Sequence, residues 1–237
     1  IFEYLETLDK KQKLFVFISL GTANHFPFYD ESKPEYARYK DIVPIKQPES
    51  IRETLINSTF IQDIYLGQFW DKFIREGYLN NSHLLITSDH SWPIGLHPYN
   101  VFNEHEAWQE NLVSPAVYIP SQLSDTAVST NATDKHLFSQ IDISATILDI
   151  AKVREKIYPV DSMLRVSQDL SQCVISVQPY GEGQVVAIYY PQKYIFKIRK
   201  NQVVEYDLEK DPYEQRPISR DVSNSDIEYL GSCLENV

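Results

Sequence analysis

Asp89 and His90 stand side by side in the stretch HLLITSDHSWPIGLHPYN, residues 83–100, and His97 follows seven residues after His90. A carboxylate beside an imidazole is a mixed oxygen and nitrogen donor pair, suited to Zn²⁺, Mn²⁺ or a related divalent cation. Successive side chains of an extended strand point to opposite faces. Asp89 and His90 can therefore serve one cation only where the backbone turns, or else they serve two positions. The bland alternative is loop polarity. An Asp-His pair after a strand, His25 ahead of Phe-Pro-Phe, and the isolated His97 and His105 are each ordinary features when taken singly. Joint position raises them above that, because all fall on loops that follow predicted strands, where open α/β sheets collect ligands.

The elements that must carry these residues read as α/β. LFVFISL, Leu14 to Leu20, is a continuous apolar run of strand length, as in a parallel sheet covered on both faces, and it leads to Asn24 and His25. HLLIT leads to Asp89 and His90, and PAVYIP is a third short strand. If the first two are parallel, their ends share one edge. Residues 1–12 read as the end of a helix with Phe2, Leu5 and Leu8 on one face. Ser50 to Glu76 is predicted to be an amphipathic helix through Ile51, Leu55, Phe60, Ile64, Phe69 and Phe73, closed by Gly77. SQIDISATILDIAKV is a further helix. Two long loops, Gly21–Pro48 and Ser91–Asn111, separate these elements. From Cys173 onward, CVISVQ, QVVAIYY, KYIFKIRK and QVVEYDL are short β-rich runs between turns, which read as a small antiparallel sheet. The expected organisation is a mostly parallel sheet flanked by helices over residues 1–160 and an antiparallel β subdomain over 161–237.

Bulk properties narrow the function. The chain has 237 residues and a formal net charge of −11, which argues against a nucleic-acid or anionic-membrane binder. An anionic substrate then needs a local cation. No apolar run approaches the roughly 18 residues of a membrane span. No signal peptide is recognisable and Ile1 is not an initiator Met, so a fragment or a processed chain is expected. Cys173 and Cys233 are too few for a tetrahedral thiolate zinc site and could form one disulfide or remain two buried thiols. Asn57, Asn80 and Asn131 head glycosylation sequons.

The stretch NSTFIQDIYLGQFWDKFIREGYLNNSHLLITSDHSWPIGLH resembles the sulfatase segment of the alkaline phosphatase superfamily, with Asp63, Gly77, Thr87-Ser88-Asp89-His90 and Gly95-Leu96-His97 filling its pattern. ANHFPF is similar to the His-x-Pro loop of sulfatases and, more so, of lipoteichoic acid synthases. EAWQENLVSPAVYIPS, QIDISATILDIAKV and KYIFKIRKNQVVEYDLEKDPYEQRPIS resemble later family segments in the family's order. The resemblance implies an alkaline phosphatase-like α/β fold. It also implies metal-assisted chemistry on sulfate or phosphate esters with a divalent cation (Ca²⁺, Mn²⁺, Mg²⁺ or Zn²⁺, unspecified by sequence). Asp89 and His90 would be metal ligands, His25 would contact the sulfate or phosphate group or its leaving oxygen, His97 would line the same pocket, and His25 and His97 would be the catalytic histidines near the leaving oxygen. His105, five residues before Glu110, would stand where many sulfatases have an anion-binding Lys.

Ser91, Pro98 and Lys152 depart from the family's glycines. The family nucleophile lies upstream of the His-x-Pro loop, and no Cys-x-Pro-x-Arg occurs in the 237 residues. The expected partner is therefore the N-terminal half of the same enzyme. The family also implies an extracytoplasmic place: periplasmic, extracellular or lysosomal. Two other classes stay open: a phosphoglycerol or phosphoethanolamine transferase with an upstream membrane anchor, and an inactive superfamily domain used as a sensor or interaction module.

Overall fold

Local chemistry starts and stops the helices. The computed structural model describes residues 1–8, 13–20, 32–93, 95–98, 100, 106–123, 137–153, 162–164, 173–180 and 182–235. α1 (Phe2–Glu6) and α2 (Pro34–Ala37) are short, and α2 opens on a proline, whose fixed φ and missing N–H suit a first helical turn. α3 (Ile51–Arg75) begins with a capping box. The Glu53 N–H donates to Ser50 Oγ at 3.2 Å, and the Glu53 carboxylate accepts the N–H groups of Ser50 and Glu49 at 3.1 and 2.7 Å. Gly77, at φ +76°, ends that run in the left-handed conformation a Cβ disfavours, and α4 (Tyr78–Asn81) follows.

The chain forms two compact units, Ile1–Lys72 and Phe73–Val237. In the first, Tyr36, Tyr39, Val43 and Ile61 form the core, with Ile64 and Tyr65 against it. Asn57 is buried on the same face of α3, one turn before Ile61. It donates to the Ile45 carbonyl at 2.8 Å and accepts the Ile45 N–H at 3.1 Å. A satisfied amide is thus inside while Phe60, expected on the apolar face, is exposed. The partner loop, not hydrophobic spacing, selects the face. Both faces of its amide being used, Asn57 is closed as a glycosylation acceptor in this fold.

The expected strand Leu14–Leu20 carries no strand pairing and is exposed along its length, Phe17 to 81%. A strand is defined by its neighbour, and none of the described residues pairs with this run. His25 lies outside the described residues, and the later part of the expected loop Gly21–Pro48 holds α2.

The second unit holds β1 (Leu84–Thr87), α5 (Gln109–Leu112), β2 (Ala116–Ile119) and α6 (Ile141–Ile150). They are followed by β3 (Val174–Gln178), β4 (Gln184–Tyr189), β5 (Gln192–Lys197), β6 (Gln202–Asp207), β7 (Ile218–Asp221) and α7 (Asn224–Glu235). β1 and β2 pair antiparallel, with Leu84 opposite Ile119 and Thr87 opposite Ala116. The fold is mixed α/β, and both sheets among the described residues are antiparallel rather than the mostly parallel sheet expected. β1 is only half-buried.

The C-terminal sheet, in order β3-β4-β5-β6-β7, matches the expected antiparallel β unit. Period-two alternation divides its side chains between two cores. Val186, Ile188, Ile195, Val204 and Tyr206 pack with Ala107 and Leu208 on one face. Ala187, Phe196 and Val203 pack on the other with Cys173 and Cys233, beside Tyr229 and Leu230 of α7. Cys173 and Cys233, left open by the sequence, are joined in a disulfide across 60 residues, fastening α7 to the start of β3. Trp108 and Leu112 pack against the first of these cores, which seats α5 on the sheet.

Candidate functional site

Strand β1 ends at Thr87, and the backbone turns at once. The His90 N–H donates to Asp89 Oδ1 at 2.9 Å, so the carboxylate folds back over its successor's amide. His90 Nδ1 faces the Ser91 carbonyl oxygen at 2.7 Å. A carbonyl only accepts, so Nδ1 carries the proton and, in the neutral ring, Nε2 carries the lone pair. That nitrogen lies 3.6 Å from Asp89 Oδ2. The turn therefore brings both donors to one side, which an extended strand would not do. Both side chains reach solvent, Asp89 to 87% and His90 to 53%. An oxygen and a lone-pair nitrogen at this separation suit neighbouring positions around one divalent cation with bonds of roughly 2.0–2.2 Å. The donor chemistry fits the expected metal. Among the described residues no third His, Cys, Asp or Glu joins them.

Two groups from elsewhere in the chain, the Gln140 amide and the Glu110 carbonyl, hold this turn. Gln140, the residue before α6, donates through Nε2 to the Ser88 carbonyl at 2.9 Å and the Asp89 carbonyl at 2.6 Å. Ser91 Oγ donates to the Glu110 carbonyl at 2.9 Å. The Trp92 ring lies 6.2 Å from the His90 ring, tilted by 37°.

Behind the turn, Glu110 is the hub of residues 95–100, and its side chain is 2% exposed. Its carboxylate accepts the Leu96 N–H at 3.0 Å, the His97 N–H at 3.1 Å and Asn100 Nδ2 at 2.6 Å. It also accepts a hydrogen bond from His97 Nδ1–H at 2.8 Å. Burial pushes the Glu110 carboxyl up. The bonds from Asn100, His97 and the two backbone amides outweigh burial, and its pKa settles below the ordinary glutamate value. Gly95, at φ +79°, allows the chain to curl around the carboxylate.

His97 is buried. Its ring lies on Trp108, Nδ1 is bonded to Glu110, and Nε2 approaches the Glu214 carbonyl at 3.4 Å. The described side chains thus fall into an exposed donor pair, Asp89–His90, and a buried assembly containing His97. His25 and His105 lie outside the described residues. Glu110 and Gln140 were not selected from sequence. Glu110 carried a signal, an acid directly after Trp108-Gln109 in a family-like segment, whereas a glutamine before a helix carries none.

Comparison with known proteins adds the family. A family model described as Sulfatase matches residues 1–153, well over half of the chain. The chain belongs to the Sulfatase family. No curated protein matches it. Among solved structures, that of BT4656 in complex with its substrate D-glucosamine-2-N,6-O-disulfate is 15% identical at a TM-score of 0.62, covering 84% of this chain and 44% of that one. A 4S-sulf protein from a glycosaminoglycan-metabolising locus of Bacteroides thetaiotaomicron is 15% identical at a TM-score of 0.60, with coverage of 85% and 49%. Ps i-CgsB in complex with k-i-k-neocarrahexaose is 13% identical at a TM-score of 0.53, with coverage of 85% and 44%. Likeness at this identity is likeness of fold, and this sulfatase chain spans about half the length or less of those solved relatives. The family match spans the Asp89–His90 turn, the Glu110 hub and Gln140.

Proposed function

We propose that this chain is part of the catalytic apparatus of a sulfate-ester hydrolase that works with a divalent cation. The observation that carries the reading is the Asp89–His90 turn, whose carboxylate and lone-pair nitrogen stand 3.6 Å apart inside a Sulfatase family match. Asp89 and His90 would hold the cation, with further donors coming from outside the described residues. When bound, the cation supplies charge neutralisation on the non-bridging oxygens of the ester and activation of the nucleophile.

The chain's own residues have separable tasks. Asp89 presents a carboxylate oxygen, and His90 presents Nε2 because Nδ1 is committed to Ser91. His25 and His105 are proposed contacts to the anionic group, with His25 near the leaving oxygen as general acid, a role for which an ordinary histidine pKa near 6.5 is suited. His97 is proposed to serve the same site through its loop, its buried ring being fixed by Glu110 and Trp108. The nucleophile is proposed to come from the N-terminal part of the same enzyme, since the 237 residues hold no Cys-x-Pro-x-Arg. An extracytoplasmic location is supported by the Cys173–Cys233 disulfide, which persists in oxidising compartments.

The NHFPF loop favours a second reading, transfer or hydrolysis of a phosphate ester by a membrane-anchored enzyme. Assaying the intact enzyme with an aryl sulfate and an aryl phosphodiester separates the two. Sulfate release that a chelator abolishes and Asp89→Ala reduces by at least about a hundredfold, roughly 2.7 kcal/mol of transition-state stabilisation, is the expected result. Faster phosphodiester turnover selects the second reading. Asp89→Ala turnover equal to wild type sinks both, whereas family-level turnover by the 237 residues alone would overturn only the placing of the nucleophile outside them.

A further inference from the structure

The residue that opens α6 is unusual for its place. Helices prefer Ser, Thr, Asp or Asn as N-cap, because a short side chain can reach the unpaired N–H groups of the first turn. Here the position belongs to Gln140, whose side chain makes no cap bond. The chain ahead of the helix is secured by other residues. The Ser139 N–H donates to Asp142 Oδ2 at 2.7 Å, and the Asp142 N–H donates to the Ser139 carbonyl at 3.0 Å. Asp142 and Thr146, one turn apart, form the buried stripe of α6, and the Thr146 hydroxyl donates to the Asp142 carbonyl at 2.7 Å. The start of α6 is thus fixed from within, and the Gln140 carboxamide is directed at the end of β1.

The two protons on Gln140 Nε2 meet two consecutive carbonyls, Ser88 at 2.9 Å and Asp89 at 2.6 Å. Consecutive carbonyls of an extended strand point to opposite sides and cannot be reached by one amide nitrogen. Bridging them is possible only where the backbone turns, and this is the turn that brings Asp89 Oδ2 and His90 Nε2 to one side. We infer that Gln140 is the positioning residue of the Asp89–His90 donor pair, clamping the Ser88 and Asp89 carbonyls so that carboxylate and imidazole face one cation. The inference rests on the reading of that pair as cation donors. Groups that orient metal ligands from outside the coordination sphere commonly set affinity, and their loss costs about 10–100-fold.

The test uses two variants of the intact protein, Gln140→Met, which keeps length and neutrality but has no donor, and Asp89→Ala. Two quantities are measured: Mn²⁺ binding by electron paramagnetic resonance titration, and exchange of the His90 amide proton in metal-free protein. Gln140→Met is expected to weaken Mn²⁺ binding by about 10–100-fold, with His90 exchange accelerated and the melting temperature unchanged. Gln140→Met binding and exchange that equal wild type overturn the inference while a deficit in Asp89→Ala keeps the donor reading. Equal Mn²⁺ binding by wild type and Asp89→Ala overturns the donor reading and the inference with it.

Discussion

His97 lies flat on Trp108, ring centroids 4.0 Å apart and planes 2° from parallel. The stack joins residues 95–100 to the chain that enters α5, and Trp108 in turn packs on the C-terminal sheet. Trp108→Ala removes the surface on which the imidazole rests. The expected loss of stability is about 2–4 kcal/mol, at or below the usual range for a buried aromatic truncation because the indole is partly exposed. Trp108→Phe keeps a ring and is expected to lose less than half as much. Urea unfolding of the three proteins checks the order, and equal midpoints for Ala and Phe would remove the stack from the account.

Glu110 makes the fold acid-sensitive. Its folded pKa is depressed, so the stability it contributes is present above the unfolded glutamate pKa near 4.3 and is lost as pH falls through the lower folded value. Glu110→Gln removes the titration while keeping one acceptor oxygen, and is expected to flatten the stability profile below about pH 4.3. Glu110→Ala leaves several buried N–H donors unpaired and is expected to cost about 3 kcal/mol or more at pH 7. Stability measured from pH 3 to 7 tests both statements.

Lys193 and Glu214 form a buried pair at 2.5 Å, with side chains 0% and 1% exposed. Glu214 also accepts the Gln109 N–H at 2.5 Å, which fastens α5 to the sheet. Burial pushes the Lys193 pKa down to about 8, against the upward pull of Glu214. Between about 8 and the ordinary lysine value near 10.4, the unfolded chain holds more protons than the folded one, so this group makes stability rise with pH across that window. Below it the cost of burying the charge is constant. Lys193→Met is expected to abolish the rise and, by stranding Glu214, to cost about 3–5 kcal/mol at pH 7. Adding Glu214→Gln should recover most of that loss, since an oxygen remains for Gln109. A double mutant no better than Lys193→Met would exclude the stranded charge as the cause.

The Cys173–Cys233 bond closes a loop with a sequence separation of 60. Loop-closure entropy for that length is worth about 4 kcal/mol in the unfolded chain. Replacing both cysteines with alanine is expected to lower stability by about that amount and to make thermal unfolding indifferent to dithiothreitol. Retention of the wild-type midpoint in the double variant would show that the α7–β3 packing holds without the link.

Local pattern made much of the chain legible. Apolar spacing announced α3, Gly77 its end, and the alternating runs after Cys173 the antiparallel sheet, because helical periodicity, left-handed glycines and period-two alternation act within a few residues. The Asp89–His90 pair was visible for the same reason, as two donor types following an apolar run. Tertiary contact decided the rest. Leu14–Leu20 has strand composition but no strand partner among the described residues, and hydrogen bonds to a neighbour cannot be read from one segment. Phe60 is outside and Asn57 inside because Ile45, 12 residues away, satisfies the amide. Glu110 gathers Leu96, His97 and Asn100, Gln140 reaches back 51 residues to Asp89, and His97 meets Glu214 across 117. The types of group available for chemistry were set by sequence, whereas their direction, burial and company depend on segments that only folding brings within hydrogen-bonding distance.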